Sequence, residues 1–160
     1  MVTCLMNGLV QNYQLSSRNN KSEKVLNTPT PNTSTYFELN ANYSKLRAFR
    51  AELEHHGYID TNVPTETFRR IFSFQEDPLT DKLKQQTNKP IEWLNNKSHL
   101  GYLIKQLSKN NIITGKEYYK VAENCFLFKG EPISNTVFHG MQLPSEPAKR
   151  KIAKIVALLK

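Results

Sequence analysis

The apolar residues change their spacing several times between positions 91 and 133, and this pattern restricts the fold more than any other feature. Ile91 and Trp93 alternate with polar residues, as expected for a short strand. Immediately afterwards the apolar residues are three or four positions apart, which is typical of a helix with one buried side: Leu100, Leu103, Ile104 and Leu107. The last part of the chain is therefore expected to combine short strands with helices.

Polar residues mark where the helices of this part begin. Asn95 or Asn96 can cap the helix that carries these leucines. Thr114 and Glu117 have the spacing of a capping box, which predicts a second helix over residues 115–124. The apolar side of that second helix is formed by Tyr118, Val121, Ala122 and Cys125. The sequence thus predicts two neighbouring helices joined by a short link.

A hairpin and a further helix follow. Short apolar segments flank Lys129 and Gly130, which predicts two strands joined by a tight turn. Glu146 and Pro147 open a terminal helix, and its apolar side consists of Ile152, Ile155, Val156 and Leu159. The order strand, helix, helix, hairpin is that of a winged helix-turn-helix module, in which the second helix enters the major groove of DNA.

Residues 36–88 predict a helical hairpin. One helix carries Tyr43, Leu46, Phe49 and Leu53 at helical spacing, and Gly57 can end it. A shorter helix begins at Pro64 or Thr65 and carries Phe68, Ile71 and Phe72. No internal repeat is visible. The predicted fold is mainly α, of the α+β type: this helical segment, then a winged helix-turn-helix-like module with a small β-hairpin and a C-terminal helix over residues 89–160.

Residues 1–35 differ from the rest in composition. They consist mostly of Asn, Ser, Thr, Gln and Pro, and they show no apolar periodicity after Leu15. This composition predicts a flexible leader. The leader has no basic segment followed by a continuous apolar run, and no part of the chain approaches the ~20 apolar residues of a membrane span. We therefore expect a cytoplasmic protein without a membrane partner.

The familiar signatures of enzymes and metal proteins are missing from the sequence. His55 and His56 are adjacent on a helix, so their side chains diverge by about 100° and do not suit one metal ion. Neither H-E-x-x-H nor a glycine-rich nucleotide loop occurs. Cys4 and Cys125 are far apart, and Cys125 lies on an apolar helix face as a buried thiol would. We expect no catalytic residue, no metal and no cofactor.

The positive charge of the chain is concentrated near its C-terminus. The net charge is +8, and residues 89–160 contain 12 of the 22 basic residues but 5 of the 14 acidic ones. This balance favours an anionic partner, and with the predicted module it favours double-stranded DNA. The candidate DNA contacts are Lys116, Tyr119 and Lys120 on the second helix, Lys129 in the hairpin turn, and Lys149, Arg150, Lys151 and Lys154 on the terminal helix. Solvated helix faces are usually charged, and basic residues also offset the dipole at a helix C-terminus, so these residues have an ordinary structural explanation too.

A family resemblance rests on the same segments. The run IEWLNNKSHLGYLIKQLSKNNII, followed by the phenylalanine-rich strand pair, resembles the C-terminal part of RteC-like proteins, which are regulators and uncharacterised companion proteins carried on conjugative transposons. The upstream pieces LRAFRAELEHHGYID and TFRRIF resemble a helical segment that often precedes it. The resemblance covers residues 43–160 and rests on core-type positions: Ile91, Trp93, Leu100, Tyr102, Leu103, Ile104 and Leu107. It implies a DNA-binding regulator of a mobile element, and it supplies no set of functional residues.

Two functional hypotheses follow. The first is a DNA-binding transcriptional regulator or accessory protein whose helical N-terminal half serves for homodimerisation or partner contact. The second is a protein-interaction module without nucleic-acid binding, in which the basic half meets an acidic protein. The first requires that the face formed by Lys116, Tyr119 and Lys120 is free. The second favours an exposed apolar patch, for which the candidates are Phe72, Phe74 and Leu79.

Overall fold

The structure, a computed structural model, describes residues 34–74 and 89–160 and contains six helices and five short strands there. In chain order they are β1 (Phe37–Leu39), α1 (Tyr43–His55), α2 (Thr65–Ile71), β2 (Phe72–Phe74), β3 (Ile91–Glu92), α3 (Lys97–Lys109), α4 (Tyr118–Cys125), β4 (Phe126–Phe128), β5 (Glu131–Pro132), α5 (Asn135–Gly140) and α6 (Glu146–Ala157). This content confirms the mixed α+β class. The leader predicted over residues 1–35 lies outside the described residues, apart from its last two positions.

The first four elements recur in the same order later in the chain. Strand β3, helix α3 and strand β4 each begin 54 residues after their counterparts β1, α1 and β2. Both copies pair their strands in parallel, with Phe37 opposite Phe72 and Ile91 opposite Phe126. We call residues 37–74 the first repeat and residues 91–128 the second repeat. The expectation that the chain has no internal repeat is therefore wrong.

The first helix of each repeat begins with the same local signal. The side chain of Asn42 caps α1 by accepting a hydrogen bond from the N–H of Ser44 at 2.9 Å. Asn96 caps α3 by accepting the equivalent bond from Ser98 at 3.1 Å. Such caps satisfy one of the amide groups that a helix start leaves without an internal partner. The structure thus confirms Asn96 as the start of the predicted helix.

The same two helices also end alike. Each is followed by a residue in the left-handed region, Gly57 with φ of 64° after α1 and Asn111 with φ of 55° after α3. The next N–H then donates a 2.9 Å hydrogen bond back to a carbonyl of the last turn: Tyr58 to Leu53, and Ile112 to Leu107. This is the Schellman motif, and its presence confirms the predicted helix end at Gly57.

The two repeats contact each other through reciprocal backbone hydrogen bonds. The N–H of Asn40 in the first repeat donates to the carbonyl of Ile112 in the second, with an N···O distance of 2.7 Å. The N–H of Leu94, the counterpart of Asn40, donates to the carbonyl of Tyr58, the counterpart of Ile112, at 2.9 Å. A twofold axis relates two copies when residue i of the first contacts residue j of the second and residue j of the first contacts residue i of the second. The chain therefore contains a pseudo-twofold axis between its repeats.

Aromatic side chains fill the space between the repeats. Phe72 and Phe126, which are counterparts of each other, have ring centroids 6.3 Å apart, as residues beside a twofold axis do. Tyr58 of the first repeat stacks on Trp93 of the second at 5.0 Å. All four side chains belong to one continuous core of buried residues. Residues 36–74 and residues 89–160 thus contribute to the same core.

A buried arginine lies at the same boundary. The Arg70 side chain is only 2% exposed, and its guanidinium donates to the carbonyls of Thr35 and Lys89, at 3.2 and 3.0 Å. These two acceptors are counterparts, since each stands two residues before the first strand of its repeat. Burial lowers the pKa of Arg70. The guanidinium of Arg70 therefore connects the two segments that lead into the first strand of each repeat.

The terminal helix covers the first helices of both repeats. Helix α6 packs mainly against α3 and also against α1. Its buried side is the one predicted from the sequence: Ile152, Ile155, Val156 and Leu159. In helix α1, three of the four apolar residues that the sequence predicted to face the core are buried: Leu46, Phe49 and Leu53. The fourth, Tyr43, is 45% exposed.

Replacing Trp93 with alanine should lower the free energy of unfolding by about 3–5 kcal/mol, the usual cost of removing a large buried aromatic. Trp93 is 1% exposed, stacks on Tyr58 and meets the edge of Phe126. The adjacent Leu94, which is 52% exposed, is the matched control, and Leu94→Ala should change the free energy by less than about 0.5 kcal/mol. Urea unfolding of both variants measures the difference. Equal losses in the two variants would contradict the assignment of Trp93 to the core.

Candidate nucleic-acid interface

The second repeat continues into the predicted hairpin. Strands β4 and β5 pair in antiparallel fashion, and the turn residues Lys129 and Gly130 both have positive φ angles, of 56° and 78°. Two such residues in succession form the type I′ turn that suits a tight hairpin. The N–H of Gly130 also donates to both carboxylate oxygens of Glu92 in β3, at 3.1 and 3.2 Å. The hairpin turn is therefore tied to the neighbouring strand.

Two lysines approach one aromatic ring beside this turn. The Nζ atoms of Lys97 and Lys129 lie 4.8 and 5.5 Å from the centre of the Phe128 ring. Both are within the range of a cation–π contact. Lys129 is exposed, and Lys97 and Phe128 are half-buried. Lys97 was not among the candidate residues, because nothing in the sequence places it next to Lys129.

Helix α4 begins later than predicted. It starts at Tyr118 instead of residue 115, and no side chain caps it. Thr114 cannot form the predicted capping box, because its N–H and hydroxyl donate to the carbonyl and carboxylate of Glu38, at 3.0 and 3.3 Å. Gly115 then takes a φ of 96°, which is not helical. Lys116 therefore lies in the turn that precedes the helix.

Lys116 and Lys120 are both exposed. The ammonium of Lys120 forms an ion pair with Glu117 at 2.8 Å, and both partners are largely solvent-exposed. Lys116 makes no hydrogen bond or ion pair with any described residue. Exposed ion pairs of this kind contribute little to stability, so the Lys120 ammonium remains available to a stronger anion.

Tyr119 lies at the contact between α4 and α5 and is half-buried. Its ring stacks on Phe138 of α5 at 5.1 Å, and it meets the edges of Tyr118 and His139 at 4.6 and 5.1 Å. Burial, and then the neighbouring Tyr118, raise the pKa of its hydroxyl. Phe138 of α5 packs against this side of α4 and leaves Tyr119 half-buried, and its role as a DNA contact stays a prediction. Tyr119 thus serves packing between α4 and α5.

The basic residues of α6 divide into two groups. Lys149 is half-buried and forms an ion pair with Glu146 at 2.8 Å. Arg150, Lys151 and Lys154 are exposed. These three extend the cationic surface of the last part of the chain, whereas Lys149 is engaged within its own helix.

The apolar patch expected of an interaction module is not present at Phe72. This side chain is fully buried between the repeats. The side chain of Phe74 and the whole of Leu79 lie outside the described residues. Phe72 is buried because it begins β2, and the period-two pattern of such a short strand could not be recognised in the sequence.

Cys125 is a buried structural thiol, as its position on the helix predicted. It is fully buried, its Sγ donates to the carbonyl of Thr35 at 3.2 Å, and burial raises its pKa to about 12. A thiol with such a pKa is not a nucleophile near neutral pH.

Within residues 34–74 and 89–160, no three His, Cys, Asp or Glu side chains are grouped as metal ligands. No helix in the same ranges is long and apolar enough to cross a membrane.

Comparisons with protein-family models, with curated proteins and with solved structures found no match to this chain.

Two histidines lie near the positive charge of Lys151 in α6. Burial, and then the charge of Lys151, lower the pKa values of His56 and His99 below 6.5. The Nδ1 atom of His99 is buried and has no hydrogen-bond partner. The unfolded chain therefore binds these protons at higher pH than the folded chain does. The stability that the neutral imidazoles contribute is present above pH 6.5 and is lost as the pH falls below that value.

Urea unfolding at about pH 7.5 and about pH 5.5 should therefore show a lower free energy of unfolding at the acidic value. Lys151→Gln should reduce this loss, because it removes the positive charge that lowers both pKa values. Lys154→Gln removes an equal charge from an exposed position on the same helix and is the control. An identical pH dependence in the wild type and in Lys151→Gln would refute the role of Lys151.

Proposed function

We propose that this chain is a non-enzymatic, DNA-binding regulator that contacts double-stranded DNA with its second repeat, the following hairpin and α6. The proposal rests on one observation: exposed lysines lie both at the start of α4 and in the turn of the hairpin formed by β4 and β5. Lys116 and Lys120 flank the start of α4, and Lys129 stands in the turn of the hairpin. In winged helix-turn-helix proteins these two places contact the major groove and the DNA backbone.

The distribution of charge between the repeats supports the same half of the chain. No lysine or arginine of one repeat has a lysine or arginine as its counterpart in the other. Lys116 and Lys120 correspond to Asn62 and Glu66, so the equivalent face of the first repeat has no matching cations. The first repeat has as many acidic as basic residues, five of each. The second repeat has five basic and three acidic residues, so its net charge is more positive than that of the first repeat and is the more favourable one for a polyanion.

The resemblance to RteC-like regulators is consistent with this proposal. It also implies a role on a mobile element, which stays a prediction. Homodimerisation stays a prediction as well. The pseudo-twofold axis lies within a single chain, between its two repeats, and does not by itself imply a dimer of chains. A cytoplasmic location would suit a DNA-binding regulator.

The proposal is tested by titrating a DNA duplex at several salt concentrations with the wild type and with Lys116→Ala/Lys120→Ala. A lysine that meets a phosphate should reduce the salt slope by about one when it is removed, and it should weaken all duplexes alike. A lysine that meets guanine should instead cost roughly 1–3 kcal/mol of sequence discrimination. Both side chains are exposed, so melting curves should show that the variant stays folded.

The matched control is Lys45→Ala/Arg47→Ala, which removes the same charge from the first repeat and should leave duplex binding unchanged. Tyr119→Phe should also leave it unchanged, because this side chain packs against α5. If Arg150→Ala/Lys154→Ala is the only variant that weakens binding, α6 is the contact and α4 is not. If the wild type shows no salt-dependent binding to any duplex, the proposal fails and a protein-interaction role takes its place.

A further inference from the structure

A groove lined by tyrosines crosses the surface of the second repeat. It consists of two adjoining depressions that share Tyr118, Tyr119 and His139. One depression extends along α3 as far as Lys105, and the other extends along the start of α4 to Lys116. We call the two depressions together the tyrosine groove. It offers a continuous path between two lysines of different elements.

The size of the groove favours an extended ligand. Each depression has a volume of about 240 Å³. The floor is packed, because a Cβ atom on Gly101 would lie 3.1 Å from Phe138 Cδ1 and 3.2 Å from Met141 Sδ. Pockets that enclose a small molecule usually measure about 300–1,000 Å³. Neither depression is large enough for such a ligand, whereas a chain molecule can lie along both.

Aromatic rings with part of their surface exposed lie along this path. Tyr102 and Tyr118 are half-buried. The ring of Tyr118 meets the edge of Tyr119 at 4.6 Å, and Tyr119 stacks on the buried Phe138 at 5.1 Å. Exposed His139 meets another edge of Tyr119 at 5.1 Å. Rings that are held in place by packing and remain partly exposed suit a ligand with flat groups that stack.

The charged groups of the groove are mainly positive. Lys105 and Lys116 are exposed, and neither makes a hydrogen bond or ion pair with any described residue. A third lysine, Lys120, is paired with Glu117 at 2.8 Å. Among the described residues that line the groove, Glu117 is the one carboxylate. Three lysines and one glutamate leave a surplus of positive charge, which favours an anionic ligand.

The first repeat indicates that the fold does not require these side chains. Tyr102 and Lys105 correspond to Ala48 and Ala51. The two helices that carry these pairs nevertheless have the same length of 13 residues and the same type of cap. The repeat therefore forms with alanine at both positions, and the tyrosine and lysine of the second repeat need another explanation.

We propose that the tyrosine groove binds an unpaired DNA strand, whose phosphates meet Lys105 and Lys116 and whose bases stack on Tyr102 and Tyr118. Cationic groups combined with aromatic rings are what proteins use to hold single strands without reading their sequence. This site goes beyond the proposed duplex contacts, because paired bases are stacked on one another and cannot stack on a tyrosine. The two sites share Lys116 but not Tyr102 or Lys105.

The probe is a short fluorescein-labelled oligothymidylate, which forms no duplex with itself, and its binding is measured by fluorescence anisotropy. The comparison is an abasic strand of the same length, which has the phosphates without the bases. The wild type should bind the abasic strand about tenfold more weakly, because stacking is lost. Tyr102→Ala should weaken the oligothymidylate about tenfold and leave the abasic strand unchanged. Tyr102→Phe keeps the ring and should bind like the wild type.

The charge is tested separately from the stacking. Lys105→Ala should reduce the salt slope for both strands by about 0.7, the value for one phosphate contact with a single strand. Lys109→Ala removes an equal exposed charge one turn further along α3, outside the lining, and should leave the slope unchanged. Melting curves should show that Tyr102→Ala and Lys105→Ala stay folded, because α1 already has alanine at the equivalent positions.

The proposal is overturned if the oligothymidylate does not bind, if the abasic strand binds equally well, or if Tyr102→Ala or Lys105→Ala binds the oligothymidylate like the wild type. It is also overturned if Tyr102→Ala weakens a blunt-ended duplex as much as the oligothymidylate, because paired bases cannot reach this ring. Failure of the wild type to bind any duplex, with oligothymidylate binding retained, would count against the duplex contacts alone and would support a single-strand site.

Discussion

The fold depends on hydrogen bonds that join the two repeats across their pseudo-twofold axis. The strands are only two or three residues long, and pairs of this length are not stable by themselves. The guanidinium of Arg70 binds the carbonyls of Thr35 and Lys89, which lead into the first strand of each repeat. The reciprocal bonds from Asn40 and Leu94 attach each first strand to the other repeat. Each sheet is therefore stabilised in part by hydrogen bonds that involve the other repeat.

Elements whose signals are local could be predicted from the sequence. The cap at Asn96, the helix end at Gly57 and the apolar side of α6 each depend on residues within one or two turns of the same helix. Trp93 could be assigned to the core because its alternation with Ile91 and the following amphipathic helix indicate the same interior. Each of these features is specified by neighbours in the chain, so the tertiary structure had little opportunity to override them.

The features that could not be predicted depend on distant partners. The repeats share 8 identical residues among 38 paired positions, and most of these are caps and core residues, which many helices have in common. Helix α4 begins later than the sequence predicted, and Thr114, the predicted cap, instead forms a hydrogen bond with Glu38 of the first repeat. Tyr119 packs against Phe138, which lies 19 positions later in the chain. The lysines proposed as DNA contacts were chosen from the charge distribution, and this role stays a prediction. Their arrangement around the hairpin required the bond between Gly130 and Glu92.

The contacts across the axis explain why the two repeats can differ so much elsewhere. Those contacts use backbone groups and a few buried side chains, so the outer faces of the helices are free to change without loss of the fold. The difference between Ile104 and Arg50 has a physical consequence. A buried guanidinium needs partners for its donors, and a charge in a closed apolar space would be strongly unfavourable. Arg50 meets this requirement with Glu54, Thr65 and Val63, and Arg47 meets it by facing solvent. The same position of the repeat thus holds a fully buried isoleucine in the second copy and a hydrogen-bonded, ion-paired arginine in the first.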